Sequence, residues 1–216
     1  MSDLSQNTYL AVPKSGAGAG VLVLHAWWGL NDFFKDFCQR LASEGFVALA
    51  PDLYHGKTAM TVDEAKRLSS EMSQTQATTD ILTALEQLRR APSVTSKSLG
   101  VIGFSLGGYF ALWLSQERPD DIGAVTVFYA TGPGDFSRAR AAYLGHFAES
   151  DEWEPAPGVK KLEEILRAAQ RPVTFYTYAG TGHWFFENDR PKAYNAEAAQ
   201  LAWKRTVEFL RATLHE

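Results

Sequence analysis

The stretch VIGFSLGGYF (residues 101–110) decides how this chain is read. It begins as a strongly apolar run and ends on a small polar residue, Ser105, with Gly103 and Gly107 two positions to either side. The pattern is G-x-S-x-G, and its surroundings predict a strand before the serine and a helix after it. A tight, strained turn between strand and helix needs small flanking residues, because the two backbones must approach closely there. Such a turn projects the serine hydroxyl from the strand end, beside the first amides of a helix, whose partial positive charge suits a developing oxyanion.

Working outward, short strand-like runs alternate with helix-like ones along the chain. Strands are expected at YLAVP (9–13), VLVLHAW (21–27), FVALAPD (46–52), LGVIGF (99–104), AVTVFYA (124–130), AAYLGHFA (141–148) and PVTFYTYA (172–179). Helices are expected from Asp32 to about Ser43 with Asn31 as cap, through Ile81, Ala84, Leu85 and Leu88, over GGYFALWLSQE, near 159–169, and from the late segment to about Leu214. The alternation predicts an α/β class chain, a mostly parallel central sheet with helices on both faces, and ligand binding at the carboxyl ends of the strands. No internal repeat or linker interrupts 1–216, so one domain is expected. GAGAG before VLVLHAW is no dinucleotide fingerprint, because that motif follows a strand and opens a helix.

Composition narrows the classes of function. At 216 residues, with 45% hydrophobic and 21% charged residues, the chain has the profile of a folded globular domain. Its formal charge of −4 is mild and dispersed, which argues against nucleic acid and membrane surfaces as partners. The opening MSDLSQNTYLAVP has no basic segment followed by an apolar one, so a cytoplasmic protein is expected. A single cysteine, Cys38, rules out an intrachain disulfide and a multi-thiolate metal site. It falls on the apolar face of a helix and reads as a buried structural thiol. No metal and no cofactor are expected.

A serine hydroxyl becomes a useful nucleophile only when a base takes its proton and a third group orients that base. In α/β-hydrolases the chain order is serine, then aspartate or glutamate, then histidine. His183, in the loop GTGHWFF after the PVTFYTYA strand, fits the last place. Asp151 follows the AAYLGHFA strand, with Glu149, Glu152 and Glu154 as rivals. His25 and His55 also lie near strand ends but precede Ser105; they read as structural or pocket-wall residues, while His146 lies within a strand and His215 is terminal. The two oxyanion donors would be the backbone N–H groups of Leu106, after the nucleophile, and Trp27, after the VLVLHAW strand. Trp28, Trp153 and Trp184, with Phe185 and Phe186, are candidates for an apolar or aromatic pocket.

The segments HAWWGLN, PDLYHG, GFSLGGYF, GHFAESDEWEP, YAGTGHWFFEND and AAQLAWKRTVEFL together resemble the dienelactone hydrolase family of the α/β-hydrolase fold, in the family's order and over essentially the whole chain. The resemblance implies Ser105, Asp151 and His183 as catalytic triad, with the Trp27 and Leu106 amides as oxyanion hole. It also sets this chain apart in two ways. The family usually carries cysteine at the position of Ser105, with a thiol-activating glutamate at that of Ala26. An arginine that binds the substrate carboxylate in dienelactone enzymes is replaced by Glu187, whose charge is expected to repel an anionic substrate.

The expected activity is therefore hydrolysis of small or medium carboxylic esters or lactones through an acyl-enzyme, with the dienelactone reaction itself disfavoured. The stretch between AVTVFYA and AAYLGHFA is too short for a lid domain, so an open cleft is expected. A thioesterase or small peptidase would use the same triad, and a non-catalytic ligand-binding protein the same pocket. A monomer or small homo-oligomer is expected.

Overall fold

In the computed structural model, residues 7–214 are described, so residues 1–6 of the opening segment and His215 fall outside this account. The strands are β1 (Thr8–Ala11), β2 (Gly20–Leu24), β3 (Val47–Pro51), β4 (Leu99–Phe104), β5 (Ile122–Phe128), β6 (Ala142–Ala148) and β7 (Val173–Tyr178). The helices are α1 (Asp32–Ser43), α2 (Val62–Glu71), α3 (Gln74–Arg90), α4 (Leu106–Glu117), α5 (Ala156–Ala168) and α6 (Ala196–Thr213). They form one seven-stranded sheet in the order β1-β3-β2-β4-β5-β6-β7. β1 is antiparallel to β3, and every other neighbouring pair is parallel. The architecture is the expected α/β one.

The apolar runs are continuous because both faces of the sheet are covered. Val21 and Val23 of β2, Ala48 and Ala50 of β3, and Ile102 and Phe104 of β4 face one core. There they meet Phe34, Phe37 and Leu41 of α1 and Ala202, Val207 and Leu210 of α6. Their alternate neighbours Leu22, Leu24, Val47, Leu49 and Val101 face the other core, with Ile81, Leu85 and Leu88 of α3, Phe110 and Leu114 of α4, and Leu162 and Leu166 of α5. A half-exposed strand would show polar residues at every second position. Cys38 lies in the first core, where burial pushes its thiol up to about 12, in keeping with a structural role.

Local signals fix the helix starts. The Asn31 side chain accepts from Phe34 N at 3.3 Å, as expected for the cap of α1. The segment after β3 holds two helices where the sequence reading has one. The extra helix, α2, starts with a reciprocal box: Thr61 Oγ1 accepts from Glu64 N, and Glu64 Oε2 accepts from Thr61 N. That T-x-x-E signature is legible in TVDE. Residues 129–141, between β5 and β6, contain no helix and no strand, so no lid rises there. Among the described residues no helix is long and apolar enough to cross a membrane.

Candidate active site

The loops at the carboxyl ends of β4, β5, β6 and β7 converge on Ser105. Its backbone has φ 47° and ψ −112°, a left-handed conformation that a non-glycine residue adopts only under constraint. The constraint is visible around it. Ser105 N donates to Phe128 O of β5 at 3.0 Å, and Ser105 O accepts from Gly108 N and Tyr109 N at 2.8 and 3.2 Å. A Cβ on Gly103 would run into the backbone of Gly107 and Gly108, and one on Gly107 into the carbonyls of Leu24 and His25. Serine at a helix N-cap ordinarily spends its hydroxyl on the helix, but Ser105 makes no capping bond.

The hydroxyl faces His183 instead. Ser105 Oγ and His183 Nε2 are 3.0 Å apart, and His183 Nδ1 lies 2.7 Å from Asp151 Oδ2. A carboxylate can only accept, so Nδ1 carries the hydrogen and Nε2 is left to accept from the serine. Asp151 Oδ1 accepts from the backbone N–H groups of Trp153 and Glu154 at 2.9 and 3.0 Å. Burial pushes the Asp151 carboxyl up, but the hydrogen bond and charge of His183 and the two amides outweigh it, leaving it below the ordinary aspartate value. Its acidic rivals are directed elsewhere: Glu149 accepts from Gly180 N, Glu154 from the Thr131 hydroxyl, and Glu152 is exposed.

Leu106 opens α4, and Trp27 follows the end of β2, which the bare Cα of Gly107 brings against the turn. Neither the Trp27 nor the Leu106 N–H donates to a backbone carbonyl among the described residues. Around these groups the indoles form one cluster. Trp27 stacks on Trp184 with centroids 6.0 Å apart at 26°, and meets Trp153 edge-on at 5.1 Å. Trp184 lies edge-on to His183 at 5.0 Å. Trp28 is packed beneath an Arg190 guanidinium 3.6 Å over its ring. Trp28, Trp153, Trp184 and His183 bound a cleft of about 980 Å³, whose far wall is the segment from Met60 to Val62 and the turn after Asp189. Arg190 donates to Met60 O and Ala59 O and ties those walls together.

Five residues that the sequence offers as pocket candidates do not line this cleft. His25 does not line the cleft: it is fully buried, its Nε2 accepts from Leu53 N at 3.1 Å, and its Nδ1 hydrogen is directed to Ala26 O at 2.6 Å. Burial lowers its pKa, and it serves as a neutral tie between the ends of β2 and β3. His55 lies at a separate hollow of about 190 Å³, paired with Asp80 at 3.1 Å. Glu187 is 0% exposed, so it cannot repel a substrate. The turn bonds Phe185 N to Gly182 O and Glu187 N to Trp184 O direct it inward, where Oε1 accepts from the Tyr129 hydroxyl at 2.5 Å. Burial pushes its carboxyl up to about 8, helped by the Asp189 charge and opposed by Tyr129, Arg190 and Trp28. Phe185 and Phe186 are core residues.

Tyr129 is the neighbour that the sequence reading misses. It follows β5 with φ 39°, is fully buried, and packs its ring 4.7 Å from that of His183. It reads as the end of an apolar strand, and nothing local marks it.

Known proteins resemble this chain along nearly its full length. "Protein usf" of Aquifex pyrophilus is 33% identical over 215 residues, covering 95% of this chain and 93% of that one. A "Putative carboxymethylenebutenolidase" of Aquifex aeolicus is 30% identical with the same coverage. The crystal structure named "Putative Dienelactone Hydrolase" from Klebsiella pneumoniae superposes with a TM-score of 0.83 at 24% identity, over 94% of this chain and 92% of that one, a likeness of fold. Residues 6–214 match the dienelactone hydrolase family, and the chain belongs to that family.

Proposed function

We propose that this protein is a serine hydrolase of small or medium carboxylic esters and lactones. The observation that carries the reading is the line Ser105 Oγ, His183 Nε2, His183 Nδ1, Asp151 Oδ2, with steps of 3.0 and 2.7 Å, built on a turn that keeps the serine from capping its helix. Ser105 Oγ attacks the acyl carbon while His183 takes its proton, and Asp151 stabilises the resulting imidazolium. The amides of Leu106 and Trp27 receive the oxyanion. The intermediate collapses by breaking the bond from acyl carbon to alcohol oxygen, and His183 gives its proton to that oxygen. Water then attacks the acyl-serine by the same route, releasing the acid and restoring the serine. Every proton moves on the chain's own groups.

With Glu187 buried, its charge no longer argues against anionic lactones. Family membership and the "carboxymethylenebutenolidase" name of a relative support keeping lactones within range. Partitioning tests the acyl-enzyme. With several esters of one acid, added methanol competes with water for the common intermediate. The ratio of methyl ester to free acid is expected to be the same for every leaving group, and a ratio that follows the leaving group overturns the mechanism.

A further inference from the structure

We infer that the leaving-alcohol side of this site takes an aromatic ring, laid against the exposed indole of Trp153, so that the preferred substrates are esters of arylmethyl or related aromatic alcohols. The inference rests on the serine-hydrolase reading and adds a substrate class to it.

The side is assigned by proton transfer. The alcohol oxygen must come within hydrogen-bond reach of His183 Nε2 to be protonated as it leaves. The large cleft is bounded by His183, with Gly182 and Trp184 beside it, whereas Ser105 and Leu106 lie outside its walls. A group attached to the leaving oxygen therefore extends into this cleft, and its volume of about 980 Å³ accommodates a ring with room for substituents.

The ring follows from the walls. Trp28 has a face already covered by Arg190, and it is 2% exposed. Trp153 is 41% exposed at the mouth, a large apolar surface 6.5 Å from the His183 ring and approached by the Lys66 ammonium at 5.7 Å from its centroid. Trp27 is stacked on Trp184 and edge-on to Trp153, and the Trp153 and Trp184 rings meet with centroids 6.3 Å apart, so the Trp153 indole is held before anything binds. Binding against it loses little side-chain freedom. Indole faces carry a quadrupole that favours an offset or edge-on aromatic partner over an alkyl group of equal size.

Benzyl acetate and cyclohexylmethyl acetate test this, since they share the acyl group and have leaving alcohols of similar bulk and acidity. The saturated ring is the more hydrophobic, so a merely apolar cleft would prefer it. The wild-type kcat/KM is expected to favour benzyl acetate by about three- to tenfold. In Trp153→Leu the ratio is expected to fall to one or below, and in Trp153→Phe to be largely kept; both keep the backbone N–H that serves Asp151. Trp184→Leu, read in parallel, reports on the indole that packs against Trp153. Fluorophosphonate labelling of Ser105 in each sample shows that the nucleophile is assembled. A labelled, active wild type with a ratio of one or below overturns the aromatic inference alone, as does a ratio unchanged in the labelled leucine variants. A wild type that takes no label and hydrolyses neither ester overturns the serine-hydrolase reading beneath it.

Discussion

Ser105 and Asp151 show how differently single residues could be read. The serine was legible because its glycine spacing has a steric reason, and the structure exhibits it in the backbone contacts of Gly103 and Gly107. Among Glu149, Asp151, Glu152 and Glu154 no local pattern chooses; only the convergence of the β6 and β7 loops brings one carboxylate to His183. Asp151→Asn is expected to lower kcat/KM by on the order of 10³–10⁴-fold, because an amide opposite Nδ1 favours the wrong tautomer. Steady-state kinetics beside an unchanged melting profile would check it. Glu187 was misread because the residue in the place of the family's arginine was expected to face the substrate, whereas the turn bonds aim it into the core. Its folded value near 8, against 4.5 for the ordinary group, means that the folded protein holds a proton the unfolded chain releases. Stability is therefore lost as pH rises from about 4.5 to 8, by up to a few kcal/mol. Glu187→Gln is expected to remove that slope, so its urea midpoint should gain on wild type between pH 5 and 8. An equal difference at both pH values would contradict the assignment.

Elements were legible wherever an apolar run or a cap had a physical partner. β2, β3 and β4 read as strands because each face has its own core, and α1 because Asn31 caps it. The helix α2 was missed for a different reason: its buried residues are only Ala65 and Leu68, too few for a visible stripe, although its capping box was present. Thr61→Ala removes half of that box and is expected to cost about 1 kcal/mol, measured by denaturant unfolding. The strand-turn-helix unit is far less tolerant. A methyl at Gly107 meets the Leu24 and His25 carbonyls, so Gly107→Ala must separate α4 from the end of β2. It is expected to destabilise by more than about 2 kcal/mol and to lower turnover in whatever remains folded, because the same approach holds the end of β2 against the turn that carries Ser105. Wild-type stability and turnover in that variant would refute the packing argument.

Across the whole molecule, buried titratable groups oppose one another. His146, fully buried between Tyr178 and Thr206, is driven by burial, and by the Arg205 charge, from 6.5 to about 3. His25 is displaced in the same direction. The unfolded chain binds protons that these folded residues refuse, so stability falls as pH drops below about 6.5, while Glu187 removes stability as pH rises above about 4.5. The sum predicts maximum stability near pH 6–6.5, readable from the urea midpoint against pH, and an optimum above pH 8 would contradict it. The parallel sheet that buries these groups also carries Ser105, Asp151 and His183 on separate loops, so only the whole fold assembles them. The central claim is that Ser105 is the nucleophile at that assembly. Fluorophosphonate labelling followed by peptide mass spectrometry tests it most directly: one label on Ser105 in the folded wild type, none in Ser105→Ala and much slower labelling in His183→Ala are expected, whereas a folded wild type left unlabelled, or labelled at another residue, would contradict it.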